Sequence, residues 1–250
     1  MTPLELAQRI ARPIGALGAG FYFDPGTVEA ALGLGLNVYE FYGLGRGGVL
    51  GDVGTEAVTD AFYFFHPRTI DLIWSRAREK ADPVAVAREH VAAAYAYAER
   101  TFGALPRELI DETARCARAV LAADPLGAHP LADGYRCVTA PTDPVQDAYL
   151  GVIALRELRG ALHIVAVAAE GLSPAEACYL DDPSIFALHG YRDEDVPAVS
   201  PELEASKARA EAATDVAMAE RLSVLSEGER SVLARGVEAM AAAMANPVPK

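Results

Sequence analysis

The chain has 250 residues, 52% of them hydrophobic, and a formal charge of −13. Such a chain can bury a substantial core as one large or two small domains, which excludes a disordered polymer. Residues 1–125 carry 12 basic and 16 acidic side chains and residues 126–250 carry 10 and 19, an acidic field that opposes non-specific binding to nucleic acid or anionic membranes.

Helix starts punctuate the sequence. A capping residue followed by proline occurs at Thr2-Pro3, Asp24-Pro25, Asp82-Pro83, Asp143-Pro144, Ser173-Pro174 and Ser200-Pro201. The cap side chain accepts from an orphan N–H, and proline at the first helical position forfeits no helical bond. Thr2/Glu5, Ser173/Glu176 and Ser226/Glu229 have capping-box spacing. Behind these starts, "VAREHVAAAYAYAERTF" (86–102) and "RSVLARGVEAMAAAM" (230–244) repeat apolar residues every three or four positions, which predicts half-buried helices. Alternating patterns are scarce. The expected fold class is all-α, mostly helical, with short β-hairpins near 44–54 and 134–139.

Residues 43–48 read "GLGRGG", a literal G-x-G-x-x-G. A dinucleotide fingerprint must follow a strand and open a helix, so that the pyrophosphate sits on the helix N-terminus. Here "LNVYEFY" could serve as the strand, but Gly51 and Gly54 interrupt any following helix, and no Lys-Ser/Thr completes a P-loop. The stretch is expected to be an irregular loop or hairpin in which glycine supplies positive φ. Arg46 is its only charged side chain, on a flexible loop where it binds an acid or phosphate, or is simply solvated. The next 30 residues complete an aromatic set that begins at Phe21 and runs through Tyr22, Tyr39, Tyr42, Phe62, Tyr63, Phe64 and Phe65 to Trp74. Such residues form a core or line a ligand cleft, and the tyrosine hydroxyls need partners in either setting.

In the segment after Asp143-Pro144, Arg156, Arg159 and His163 fall at i, i+3 and i+7, on one helix face. They could bind a carboxylate or phosphate, with Arg159 keeping the imidazole neutral as a base. The alternative is an Arg pair bonded to carboxylates such as Glu157 and a hydrogen-bonded core histidine. His66 before Pro67 and His189 before Gly190 are expected at helix C-termini, where the dipole favours them. No metal-ligand spacing such as H-E-x-x-H occurs, so neither metal nor cofactor is expected. Cys116, Cys137 and Cys178 are odd in number and scattered, no basic region precedes an apolar N-terminal run, and uncharged stretches reach only about ten residues. The expectation is a cytoplasmic protein with no membrane span.

A weak repeat relates "AERTFGALPRELIDETARCARAVLAA" (98–123) to "AERLSVLSEGERSVLARGVEAMAAA" (219–243), and "FYFFHPRTI" (62–70) to "SIFALHGYR" (184–192). It divides the chain into a first helical unit (1–124), a Pro/Gly-rich linker (125–144) and a second unit (145–250).

Three stretches carry a family resemblance: "GLGRGGVLGDVGTEAVTDAFYFFHPRTIDLIW" (43–74), "LRELRGALHIVAVAAEGLSPAEA" (155–177) and "KARAEAATDVAMAERLSVLSEGERSVLARGVEAM" (207–240). In this order they resemble an actinobacterial family known as SalK-like or EvbL-like, related to MarR-type helix-turn-helix proteins. The resemblance implies a winged-helix-derived fold with two related units packed as an intramolecular pseudo-dimer. Its closing helices are similar to those by which MarR-type proteins pair, which implies a homodimer. Two departures weaken DNA reading: the wing region "HGYRDEDVPAVSPELEASKARAEAATD" (189–215) is short, and Ala161-Leu162 replace the Asp that precedes the family's histidine.

Three functions are compatible with these readings. The first is binding of a small hydrophobic molecule, anionic or carbonyl-bearing, in specialised metabolism. The second is a MarR-like ligand-responsive regulator, for which residues 190–206 hold one Arg against five acidic side chains, while Arg68, Arg76, Arg78 and Lys80 make the first unit the better DNA candidate. The third is an enzyme with His163 as acid–base group beside a Tyr or Arg. The expected site is a Tyr/Phe-lined pocket between the units that draws on Tyr42, Tyr63, His66 and Arg156, with His163 and Arg159 as its floor and Arg46 at its mouth.

Overall fold

Each of the six cap-proline pairs opens a helix in the structure, a computed structural model that describes residues 1–245. The caps form as their chemistry demands. Asp82 accepts from the Ala85 amide at 2.8 Å, Asp143 from Val145 at 2.8 Å, and Ser173 and Glu176 close a reciprocal box. Thirteen α-helices occur among the described residues, with no strand. They are α1 (Pro3–Ala19), α2 (Pro25–Gly33), α3 (Val38–Gly47), α4 (Thr55–Ala61), α5 (Pro67–Ile70), α6 (Pro83–Phe102), α7 (Arg107–Ala123), α8 (Pro130–Arg136), α9 (Pro144–Ala169), α10 (Pro174–Asp181), α11 (Pro183–Phe186), α12 (Pro201–Leu222) and α13 (Glu227–Ala245).

The axis of the molecule is α9. Residues Ala148–Leu155 are buried without interruption, so this stretch has no solvent face, as expected of a helix surrounded by others. It packs against α1, α6, α7, α8 and α12, while α13 covers α1 and α7. The main apolar core therefore draws on both halves of the chain. Residues 125–144, expected as a linker, contain α8, whose Leu131, Ala132 and Tyr135 are buried. A second core forms around Phe41, Leu44, Phe62, Ile73 and Trp74, where α3 and α4 meet the π-helical segment Asp71–Ser75 that continues α5.

Both expected hairpins are absent. Residues 38–47 are α3, opened by an Asn37/Glu40 capping box, Gly48–Leu50 form a 3-10 turn, and α8 runs through residue 136. The glycines of "GLGRGG" do not supply positive φ; they supply thinness. A Cβ at Gly43 would strike Ile73, at Gly45 His90, at Gly47 Trp74 and at Gly48 the Pro83 carbonyl. Glycine on two faces lets α3 lie directly on α6 and on the π-helical segment. Arg46 is thus a buried helical residue, not part of a mobile loop.

Candidate functional site

A cleft of about 710 Å³ opens between α3 and α4 on one side and α1 and α9 on the other. Its walls are largely apolar, from Ile14, Leu50, Phe62 and Phe65 among others, and a few polar side chains converge on it. That is the usual character of a small-molecule site.

The floor is a buried ion cluster. Arg46 grips Glu157 with two parallel hydrogen bonds, Nε to Oε1 at 3.0 Å and the NH2 nitrogen to Oε2 at 2.7 Å. Its remaining nitrogen donates to the Tyr42 hydroxyl at 3.1 Å, and the guanidinium carbon lies 4.2 Å from the Phe62 ring centre. Arg156 adds a bond to Glu157 Oε1 at 2.6 Å and one to the Tyr22 hydroxyl at 3.1 Å. Burial acts to raise the Glu157 carboxyl pKa, but the two guanidiniums outweigh it and hold the group below the usual carboxylate range. Two cations on one carboxylate leave the cluster with a net charge of +1. The Nε and NH2 nitrogens of Arg156 have no hydrogen bond to the described residues, and Arg156 lines the cleft.

One turn further along α9, Arg159 pairs with Glu211 at 3.0 Å and Asp215 at 3.4 Å, both from α12. His163 Nδ1 lies 2.9 Å from the Thr214 hydroxyl, which itself donates to the Ala210 carbonyl at 2.7 Å. Thr214 must therefore accept from Nδ1–H. The Nε2 lone pair then faces Lys207 Nζ at 3.4 Å. Burial lowers the His163 pKa to about 4, with Glu211 opposing and Lys207 and Arg159 assisting, so the ring is neutral at pH 7.

Tyr42, Arg46, Arg156, Arg159 and His163 all line this cleft. Tyr63 and His66 do not. Tyr63 packs with Phe64 beside Ala166 and Val167. His66 caps the start of α5, where its Nδ1 accepts from the Arg68 amide at 3.1 Å. Its place in the sequence suggests a helix C-terminus, but Pro67 places His66 at an N-terminus by the same cap-proline rule that applies elsewhere in the chain. His189 follows α11; its carbonyl accepts from the His66 amide at 2.8 Å, and its ring stacks on Phe65 with centroids 4.2 Å apart. The sequence offers Glu157 as a carboxylate for the Arg156/Arg159 pair, and the structure joins it to Arg156 and to Arg46. His129 carries little sequence signal, since it shares only the His-Pro pattern of His66.

Among the described residues no group of three His, Cys, Asp or Glu side chains is arranged to hold a metal. No described helix is long and apolar enough to cross a membrane. A family model described as a helix-turn-helix family matches residues 7–248. No curated protein and no solved structure matches the chain.

Proposed function

Since the chain belongs to the helix-turn-helix family, we propose that it uses a scaffold of this type to bind a small apolar anion in the cleft between α3, α4, α1 and α9. The observation that carries this reading is the net-positive Arg46–Glu157–Arg156 cluster beneath an apolar cleft, with uncommitted N–H donors on Arg156. A carboxylate or phosphate on the ligand would balance the excess charge in a setting where water screens it poorly. The winged-helix-derived, two-unit arrangement implied by the family resemblance is part of the same proposal.

Gly160 offers a clean test. It lines the cleft, and a Cβ there meets nothing within 4 Å. Gly160→Trp fills the cleft without a backbone clash and replaces a poor helix former. A thermal-shift screen of aromatic and aliphatic carboxylates and phosphates is expected to raise the wild-type melting temperature by roughly 5–10 °C at about 100 times Kd, from ~2.7 kcal/mol of linkage. The variant is expected to melt near wild type and not respond. If no anion shifts the wild type, or if the shift survives in Gly160→Trp, the cleft is not the site.

Family membership favours a second reading, a regulator that contacts DNA. The basic stretch of the first unit is already neutralised: Arg68 pairs with Asp195 at 3.4 Å, Arg76 with Asp71 at 3.0 Å, Arg78 with Asp52, and Lys80 with Glu40 at 2.6 Å. In the second unit, residues 196–200 are not helical, so 190–206 offers no continuous recognition helix. Fluorescence polarisation against the gene's own upstream DNA at physiological salt is expected to give no binding below about 1 µM, within the range of non-specific association. Tighter, salt-sensitive binding that weakens in Arg76→Gln would favour the regulator.

A further inference from the structure

At the α8 end of the cleft lies a second set of residues that the floor cluster does not use. The Asp124 carboxylate, at the end of α7, is buried, with side-chain exposure of 3%. Its Oδ2 accepts from His129 Nδ1 at 2.6 Å, and its Oδ1 accepts from Arg221 Nε of α12 at 3.2 Å. The Asp124 carbonyl accepts from Arg136 at 2.8 Å. His129 and Arg221 thus hold the carboxylate from two sides, and Arg136 holds the backbone of the same residue. A carboxylate can only accept, so Nδ1 carries a proton, and in the neutral ring the lone pair resides on Nε2. His129 stands at the cap position before Pro130 but does not cap α8; its ring is committed to Asp124. Nε2 has no hydrogen bond to the described residues, is not sealed in the way both ring nitrogens of His90 are, and belongs to a residue that lines the cleft.

A buried carboxylate that orients a histidine lining a binding cleft, and leaves its other ring nitrogen unpaired, is the arrangement of a general base. We propose that His129 is a catalytic base, that Asp124 is its positioning residue, and that the cleft carries out proton transfer on an apolar, anionic substrate with a C–H bond acidified by a neighbouring carbonyl. This rests on the reading of the cleft as a ligand site. The C–H bond breaks, its proton moves to Nε2, and its electron pair passes to the carbonyl oxygen as an enolate. Return of the proton from Nε2 to a second position completes an isomerisation with no oxidant, reductant or co-substrate. The spare donors of Arg156, on the same cleft, are the groups available to the developing oxyanion.

The test uses 5-nitrobenzisoxazole, whose opening needs only a base: the ring C–H loses its proton, the N–O bond breaks and a nitrile and a coloured phenolate form. The full-length protein is expected to accelerate this reaction with saturation, and His129→Gln to lose at least tenfold in rate. Nitrogen NMR of Asp124→Asn should show its His129 as a mixture of tautomers, and kcat is expected to fall with KM unchanged, a loss of rate that a purely structural pair would not produce. If His129→Gln folds poorly, diethylpyrocarbonate and peptide mass spectrometry on the wild type replace it, with acylation of His129 expected. A rate retained in a folded His129→Gln, or a His129 that resists acylation, overturns the proposal. The two readings separate cleanly: anions that stabilise wild type and His129→Gln alike, with no difference in rate, sink the base and leave the binding site standing.

Discussion

Glu157→Gln is expected to lower the unfolding free energy by about 3–5 kcal/mol, the range found when one partner of a buried ion pair is removed. For a chain of this size that corresponds to a drop in melting temperature on the order of 10 °C. Glu157 is 3% exposed and is the carboxylate shared by Arg46, itself buried, and Arg156. Without the charge, two guanidiniums face each other across the cleft floor with only amide and hydroxyl oxygens to accept from them. Arg156→Gln is expected to cost less, because the bidentate Arg46–Glu157 pair survives as a neutral unit. The pH dependence follows from the depressed Glu157 pKa. Unfolded glutamate titrates near 4.3, so the stabilisation is present above that value and is lost as pH falls through the lower, folded pKa. Denaturant melts of wild type and Glu157→Gln at neutral pH and at pH 3 should therefore converge as the pH drops. A loss below about 1 kcal/mol at pH 7 would show that the cluster is solvated, contrary to its geometry.

A second large effect belongs to His90. This side chain is 1% exposed, lies between Phe21, Tyr22 and Phe41, and has no hydrogen-bond partner for either ring nitrogen among the described residues. Burial, aided by Arg46, lowers its pKa to about 3 from 6.5. The unfolded chain takes up a proton as pH falls through 6.5 while the folded chain does not. Stability is therefore full above that value and declines until pH reaches about 3. One pKa unit is about 1.4 kcal/mol, so wild type is expected to be roughly 2 kcal/mol less stable at pH 5 than at pH 7.5 through this group. His163, held near 4, adds to the same slope. His90→Leu is expected to stay within about 1 kcal/mol of wild type at pH 7.5, because the ring nitrogens make no bond that the substitution would remove. It should also flatten the decline towards pH 5. A slope unchanged in His90→Leu would place the acid sensitivity elsewhere.

The two predictions mark a boundary between what neighbouring residues encode and what distant ones impose. Helix starts were legible because a cap is a local device: Asp82 bonds an amide three positions on, and Pro83 fits only the first turn. The shared face of Arg156, Arg159 and His163 was legible for the same reason, since helical spacing alone aligns them. The stretch Gly43–Gly48 was not. Glycine serves both positive φ and close approach, and the choice was made by Ile73, His90 and Pro83, up to 45 residues away. A run that reads as a flexible loop became a helix pressed between two others, and Arg46 went inside with it.

The sequence by itself determined that this protein is all-α, where most of its helices begin, and which face of α9 carries charge, because hydrogen bonds between residues two to four apart decide those features. Only the tertiary structure decided that Glu157 joins Arg46 across 111 residues, that Arg221 of α12 locks Asp124 from 97 residues away, and that a cleft lies between these groups. Those contacts arise from how helix faces pack. A single sequence read along its length holds no term that couples a carboxylate in one helix to a guanidinium in another until burial leaves each with no other partner.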